Sequence, residues 1–188
     1  MRKTLLIVLP LLLISFSISQ EPINYETTLI EKGQLYYTKD TNQPYSGPVF
    51  SLYENGKKKE EGSFKDGKMI SKTKWKWYKN GQMWSEGNFK DGKVNGTFTF
   101  WYENGQKNYE ENYKDGIKIG LWRGWYENGQ KNIEKIYKDD KRNGLWTTWY
   151  ENGQKSSEGT FKDGVQDELE MYWYENGQKY REITYQDG

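Results

Sequence analysis

The chain of 188 residues carries 20 glycines, 9 tryptophans, 16 tyrosines and 7 phenylalanines, no cysteine and no histidine, and only 34% hydrophobic residues. So little aliphatic material cannot build a thick, centred core, and aromatic rings must carry the packing. The missing residue types exclude disulfides, thiolate zinc sites, cysteine nucleophiles and the commonest general base, while a formal net charge of +1 argues against a general nucleic-acid binder.

In chain order, Arg2 and Lys3 precede an apolar run interrupted by Pro10, and Ser17 and Ser19 follow it. That sequence of charged, apolar and small-residue zones predicts a secretory signal peptide over 1–19 with cleavage after Ser19, the run being short of the roughly 20 residues a membrane-spanning helix needs. Cleavage removes two of 28 basic residues against 27 acidic ones, leaving a net charge of −1. The mature chain is then expected to be periplasmic, at the cell surface or extracellular. Residues 20–50 read as an N-terminal segment with a degenerate capping repeat around Tyr36, Tyr37, Pro44, Tyr45 and Gly47, and 51–188 as six tandem repeats.

The repeats are set by two turn signals. Asn55-Gly56, Asn80-Gly81, Asn104-Gly105, Asn128-Gly129, Asn152-Gly153 and Asn176-Gly177 recur with a period of 24 after one spacing of 25. Eleven residues later in each unit come Asp66-Gly67, Asp91-Gly92, Asp115-Gly116, Asp139-Asp140, Asp163-Gly164 and Asp187-Gly188. Asn-Gly predicts a two-residue type I′ hairpin tip, and the Lys-Asp-Gly group a looser return connection. The intervening runs of Trp, Tyr, Phe and Thr favour strands, and helix is expected nowhere after Gln20. The fold class is thus all-β, an elongated antiparallel meander of tandem hairpins extending roughly 55 to 60 Å. Counting from Asn152-Gly153 places Trp146 opposite Gly159, with Trp146, Thr148, Tyr150 and Phe161 on one face and Leu145, Trp149 and Glu158 on the other. An aromatic over each strand glycine would account for Gly62, Gly87 and Gly159.

The run Gly-Leu-Trp-x-x-Trp-Tyr-Glu-Asn-Gly-Gln-Lys-x-x-Glu-Gly-x-aromatic-Lys-Asp-Gly, from Gly144 to Gly164, resembles the bacterial variant of the MORN repeat. The likeness covers about residues 33–188 and departs at Asp140, Glu168, Lys135 and Ile183, where the pattern has glycine. Proteins with such repeats include antitoxin and immunity components of bacterial toxin systems, and the wider family is associated with protein and membrane-lipid contacts. The resemblance therefore implies a binder.

Three rows of residues could carry chemistry. Glu61, Glu86, Glu110, Glu134, Glu158 and Glu182 share one register, but six equivalent carboxylates lack the two distinct environments acid/base catalysis needs, so pairing with lysines of neighbouring strands is expected. The Asp-Gly aspartates offer one carboxylate per loop, too few for calcium, and are read as turn formers through their own side-chain hydrogen bonds. Trp77, Trp101, Trp125, Trp149 and Trp173, with Tyr102, Tyr126 and Tyr150, are the candidate binding anchors, with sheet packing as the competing role. No phosphate loop, nucleophile elbow or metalloprotease motif is present, so no catalytic residue, metal or cofactor is expected. The resulting expectation is an exported, non-catalytic scaffold for a protein partner, possible as an antitoxin or immunity binder, with an envelope glycan or lipid headgroup as the alternative ligand. Oligomeric state is left open.

Overall fold

A computed structural model describes residues 20–185; the signal-peptide reading and the last Asp-Gly pair lie outside them. The chain runs β1 (Ile23–Asn24), α1 (Tyr25–Thr28), β2 (Leu29–Lys32), β3 (Leu35–Thr38), β4 (Gly47–Leu52), β5 (Lys58–Lys65), β6 (Lys68–Trp77), β7 (Met83–Lys90) and β8 (Lys93–Trp101). It continues through β9 (Lys107–Lys114), β10 (Ile117–Lys118), β11 (Gly120–Trp125), β12 (Lys131–Lys138), β13 (Lys141–Trp149), β14 (Lys155–Lys162), β15 (Val165–Trp173) and β16 (Lys179–Thr184). From β4 onward each strand pairs with the next in sequence, with β10 a side branch of β9, giving one 14-stranded sheet that is antiparallel except for the short β1–β4 pair. The predicted all-β meander is the observed fold. The stack opens at Gly47, inside what reads from the sequence as the N-terminal segment.

The two turn signals exchange the roles expected of them. At Asp66-Gly67 both residues have positive φ, 50° and 79°, and Lys65 pairs with Lys68, so the Asp-Gly group is the two-residue type I′ tip. The same holds at Asp139-Asp140, where φ is 50° and 65°. At the other end Tyr150 donates its N–H to Gln154 and its carbonyl accepts from Gly153, enclosing a three-residue loop, Glu151 to Gly153, in which only the glycine has positive φ. This is a type I turn with a bulge at glycine. Asn is held at negative φ because its side chain is engaged twice. Asn128 Oδ1 accepts the Gln130 N–H at 2.9 Å, and Asn128 Nδ2 donates to the Glu151 carbonyl of the next repeat at 3.0 Å.

The longer loop should have moved every pair by one residue, yet Trp146 does lie opposite Gly159. A second bulge restores the count: Trp149 pairs with Lys155 and Thr148 with Ser157, leaving Ser156 extra. Lys59, Trp84, Asn108, Asn132 and Tyr180 are extra in the same way in their hairpins. The aromatic-over-glycine arrangement holds at Gly87, where an added Cβ would fall 2.4 Å from the Phe98 ring. At Gly62 the close neighbour is instead the Ser71 carbonyl, 2.1 Å from such a Cβ, and at Gly159 it is the Gln166 amide.

The N-terminal segment is not a stacked repeat. One helical turn, α1, interrupts the expected all-strand run, with the Asn24 side chain accepting the Glu26 N–H at 3.2 Å as its cap. The β2–β3 hairpin forms a separate two-stranded sheet. Together they bring Tyr25, Leu29, Tyr36 and Tyr45 onto Phe64 of the first repeat, which is left 3% exposed, with Val49 fully buried alongside. Tyr25 meets Tyr36 and Phe64 edge-on at 5.6 and 5.7 Å. This is the hydrophobic core of the described residues, and it covers one end of one sheet face.

Glu168 adopts φ 60° at the position filled by Gly96, Gly120 and Gly144 in earlier repeats, a conformation that costs a side-chain-bearing residue about 1 kcal/mol or more. Asp140 is also left-handed, but its Oδ1 accepts the Lys118 N–H at 2.9 Å. Glu168→Gly is expected to raise the thermal midpoint by about 3 °C. Asp140→Gly, which surrenders that hydrogen bond, should raise it less or lower it. Melting followed by circular dichroism checks the ordering.

Candidate functional site

The strand period of two gives the sheet two unlike faces. On the first, continuous with the capped end, lie Phe64, Phe89, Phe98, Phe100, Tyr113, Trp122, Tyr137, Trp146 and Phe161, as a row of ring contacts. Phe89–Phe98, Tyr113–Trp122, Trp122–Tyr137 and Trp146–Phe161 stand at 6.0, 5.0, 4.9 and 5.2 Å between centroids. The predicted pairing of Trp146 with Phe161 on one face is therefore observed. Trp122, at 5% exposed, is the deepest ring of the row outside the cap.

The second face carries the glutamate row and the candidate tryptophans. Lys107 reaches Glu110 at 2.6 Å while lying over the Trp125 ring at 5.7 Å. Lys131 reaches Glu134 at 2.8 Å and lies over Trp149 at 5.3 Å, and Lys155 reaches Glu158 at 2.5 Å and lies over Trp173 at 6.0 Å. Trp77 has Lys57 over it at 4.5 Å, and all five tryptophans are half-buried. The expectation that these glutamates pair with lysines of neighbouring strands needs correcting: Lys58–Glu61, Lys107–Glu110, Lys131–Glu134, Lys155–Glu158 and Lys179–Glu182 are each on one strand. Residues three apart on a regular strand point to opposite faces; the extra residue of each bulge brings them together. Arg123 adds cross-strand ion pairs, to Glu110 at 3.3 Å and Glu134 at 3.6 Å, and Thr147 donates across strands to Glu158 at 3.2 Å. Glu86 has no ion pair among the described residues, because Met83 stands where the other units have lysine.

The tyrosines proposed as anchors are occupied at their polar ends. Tyr78, Tyr102, Tyr126 and Tyr150 donate their hydroxyls to the carbonyls of Trp101, Trp125, Trp149 and Trp173 of the following repeat at 2.7 to 2.8 Å. Any contact through Tyr102, Tyr126 or Tyr150 is therefore made with the ring. A large exposed ring that the repeat alignment passes over is Trp84, 39% exposed, with Lys76 at 4.7 Å. It occupies the bulge position, which reads as an ordinary strand residue until the turn type is known. With Leu52, Tyr53, Tyr78 and Lys59 it borders an open groove of about 830 Å³ beside the cap.

The aspartates of the type I′ tips act through their tolerance of positive φ; among the described residues only the Asp140 side chain of these tips accepts a backbone N–H, which corrects the expected side-chain bonds. Among the described residues no group of three or more acidic side chains converges as a metal site would require. Titrating groups instead gather under the cap. Burial pushes the Glu60 carboxyl up, but hydrogen bonds from Lys74 and Tyr25 and the charge of Lys72 outweigh it and hold the group below the ordinary glutamate value. The Tyr25 hydroxyl donates to Glu60 at 2.8 Å, and Lys74 and Lys72 stand at 2.8 and 3.4 Å.

A model of the MORN repeat variant matches residues 45–66, 73–91, 94–115, 118–139, 142–163 and 169–187. The chain belongs to the MORN repeat variant family. The six matches coincide with the six hairpins, and MORN repeats suggest a scaffold for binding, often of proteins or membrane lipids. A search of the curated proteins finds no match to the chain.

Because the folded-state pKa of Glu60 is depressed, its stabilising contribution is present above the unfolded value near pH 4.3 and is lost as pH falls through the folded value. Glu60→Gln should cost about 2 kcal/mol at pH 7, and the gap to the parent chain should narrow as pH falls below the ordinary glutamate value and through the lowered folded one. Urea midpoints measured from pH 3 to 7 test both the size and the sign.

Proposed function

We propose that the protein is an exported, non-catalytic scaffold that binds a protein partner, of the antitoxin or immunity type, across several repeats of its tryptophan face. The observation that carries this reading is the recurrence of one surface unit, a half-buried tryptophan beneath a lysine that is itself paired with glutamate, at Trp125, Trp149 and Trp173. Repeated rings two strands apart, about 9.6 Å, give a partner evenly spaced apolar anchors. The lysine–glutamate pairs between them are exposed enough to contribute little to stability, so their charge pattern is free to set specificity. Repetition works against catalysis: five of the six glutamates of the row pair in the same way with a lysine three residues before them on the same strand, which does not set up the two distinct carboxylate environments acid/base work needs. Export is carried by the reading of residues 1–19.

An envelope glycan or lipid headgroup is the alternative ligand, but a sugar stacking on Trp125, Trp149 or Trp173 would first have to displace the ammonium over each ring. Among the described residues Trp101, opposite Lys107, has no cation over its ring, and Met83 stands where the later units have the lysine that covers Trp125, Trp149 and Trp173.

Affinity capture from the exported fraction, with mass-spectrometric identification, supplies the partner for a quantitative test. Trp125→Ala combined with Trp149→Ala should leave the circular dichroism spectrum in place and weaken the complex at least about tenfold. Retained affinity in the double variant would end this reading, and saturable fluorescence changes with cell-wall polysaccharide would move it to the alternative.

A further inference from the structure

On the cap face, Lys118, Lys135 and Arg142 gather over four rings. Lys118 lies over Trp122 at 4.9 Å and Tyr137 at 5.3 Å, Lys135 over Trp146 at 5.0 Å, and Arg142 over Trp146 at 4.0 Å and Phe161 at 4.9 Å. Lys135 stands where the repeat pattern has glycine and is the cross-strand partner of Trp122 on one side and Trp146 on the other. Burial first, and next the positive charge of Lys118, hold its ammonium below the ordinary lysine value. None of the three cations makes an ion pair or side-chain hydrogen bond among the described residues. The carboxylate that lies nearest in charge, Glu111, accepts the Tyr113 hydroxyl at 3.0 Å and forms no ion pair with them.

The capped end shows the same face in completed form. There two lysines, Lys72 and Lys74, are neutralised by Glu60, and a peptide segment lies across the rings, its Tyr25 packed on Phe64 and its Glu26 paired with Lys59 at 2.7 Å. Over repeats four and five the rings and the cations are present, but among the described residues no carboxylate forms an ion pair with those cations and no segment covers the rings. We propose that the patch of Lys118, Lys135 and Arg142 on its aromatic floor is a docking site for an acidic segment of a protein partner, glutamate- or aspartate-rich with an aromatic side chain. The site rests on the scaffold reading and adds to it a second contact surface on the opposite face, read by charge. Lys118 and Lys135, half-buried and without an ion pair among the described residues, and the exposed Arg142 beside them favour a carboxylate, and cation–aromatic contacts orient them without neutralising them.

The test titrates the full chain with a blocked Glu-Glu-Phe-Glu-Glu peptide and its Gln-Gln-Phe-Gln-Gln control, read by tryptophan fluorescence at low salt. The acidic peptide should saturate the signal and the control should not. Lys135→Gly, which restores the residue the repeat pattern calls for, and Arg142→Gln, at an exposed position, should each weaken binding about tenfold. Binding of inorganic phosphate or of phosphatidylglycerol vesicles with equal affinity and the same sensitivity to both variants would overturn the assignment to a protein segment. An unresponsive parent chain, with Trp125→Ala and Trp149→Ala still abolishing the partner complex, would overturn this site while leaving the scaffold reading intact.

Discussion

A sheet one layer thick has no second layer to hold its strands together, so the stack depends on what joins one hairpin to the next. Along the Asn-Gly edge that joint is a pair of side-chain hydrogen bonds, the Tyr hydroxyl to the next repeat's Trp carbonyl and the Asn amide to its Glu carbonyl, repeated from Tyr78 and Asn80 to Tyr150 and Asn152. Each contributes on the order of 1 kcal/mol, and they recur at a fixed spacing, so the stack is tied by many small increments in place of one core. The first joint is different: the spacing of 25 shifts the register, Tyr53 reaches Trp75 instead of Trp77, and Lys57, at the position glutamine holds in later units, donates to the Gly81 carbonyl.

The ladder leaves the two faces free to differ. On one, bulges turn a lysine and a glutamate of the same strand toward each other, so Trp125, Trp149 and Trp173 each lie beneath a lysine whose charge is paired. On the other, the rings pack in a row whose first member is sealed under α1 and the β2–β3 hairpin, while the cations farther along form no ion pair among the described residues. The asymmetry follows from a small number of departures from the repeat. Lys135 in place of glycine puts a charge between two tryptophans, and Met83 in place of lysine leaves Glu86 alone. In a repeat scaffold, departures of this kind are where specificity is written, because the shared residues are already committed to the stack.

Some of this was readable in advance, and the reasons divide cleanly. The register of Trp146 with Gly159 follows from counting, but the counting rests on a two-residue Asn-Gly tip that does not exist; a three-residue loop and a compensating bulge at Ser156 give the same sum. Turn type is not legible locally because Asn-Gly and Asp-Gly are both compatible with type I′, and what separates them is the carbonyl of the next repeat that the Asn amide finds, a partner 23 residues away. Trp84 is not marked by the repeat because four of its five counterparts at the bulge, Lys59, Asn108, Asn132 and Ser156, are not aromatic. The helical turn at Tyr25–Thr28 and the folding of the cap across Phe64 depend on long-range packing that no local pattern encodes.

By itself, then, the amino-acid sequence determined the period, the strand class, the direction of the aromatic rows and the family, because turn residues and side-chain alternation act over a few neighbours and repeat in register. The tertiary structure alone decided which end of each hairpin is tight, which face the cap covers and which cations lack a counter-ion. Those depend on groups brought together from different repeats, where distance along the chain carries no information about distance in space.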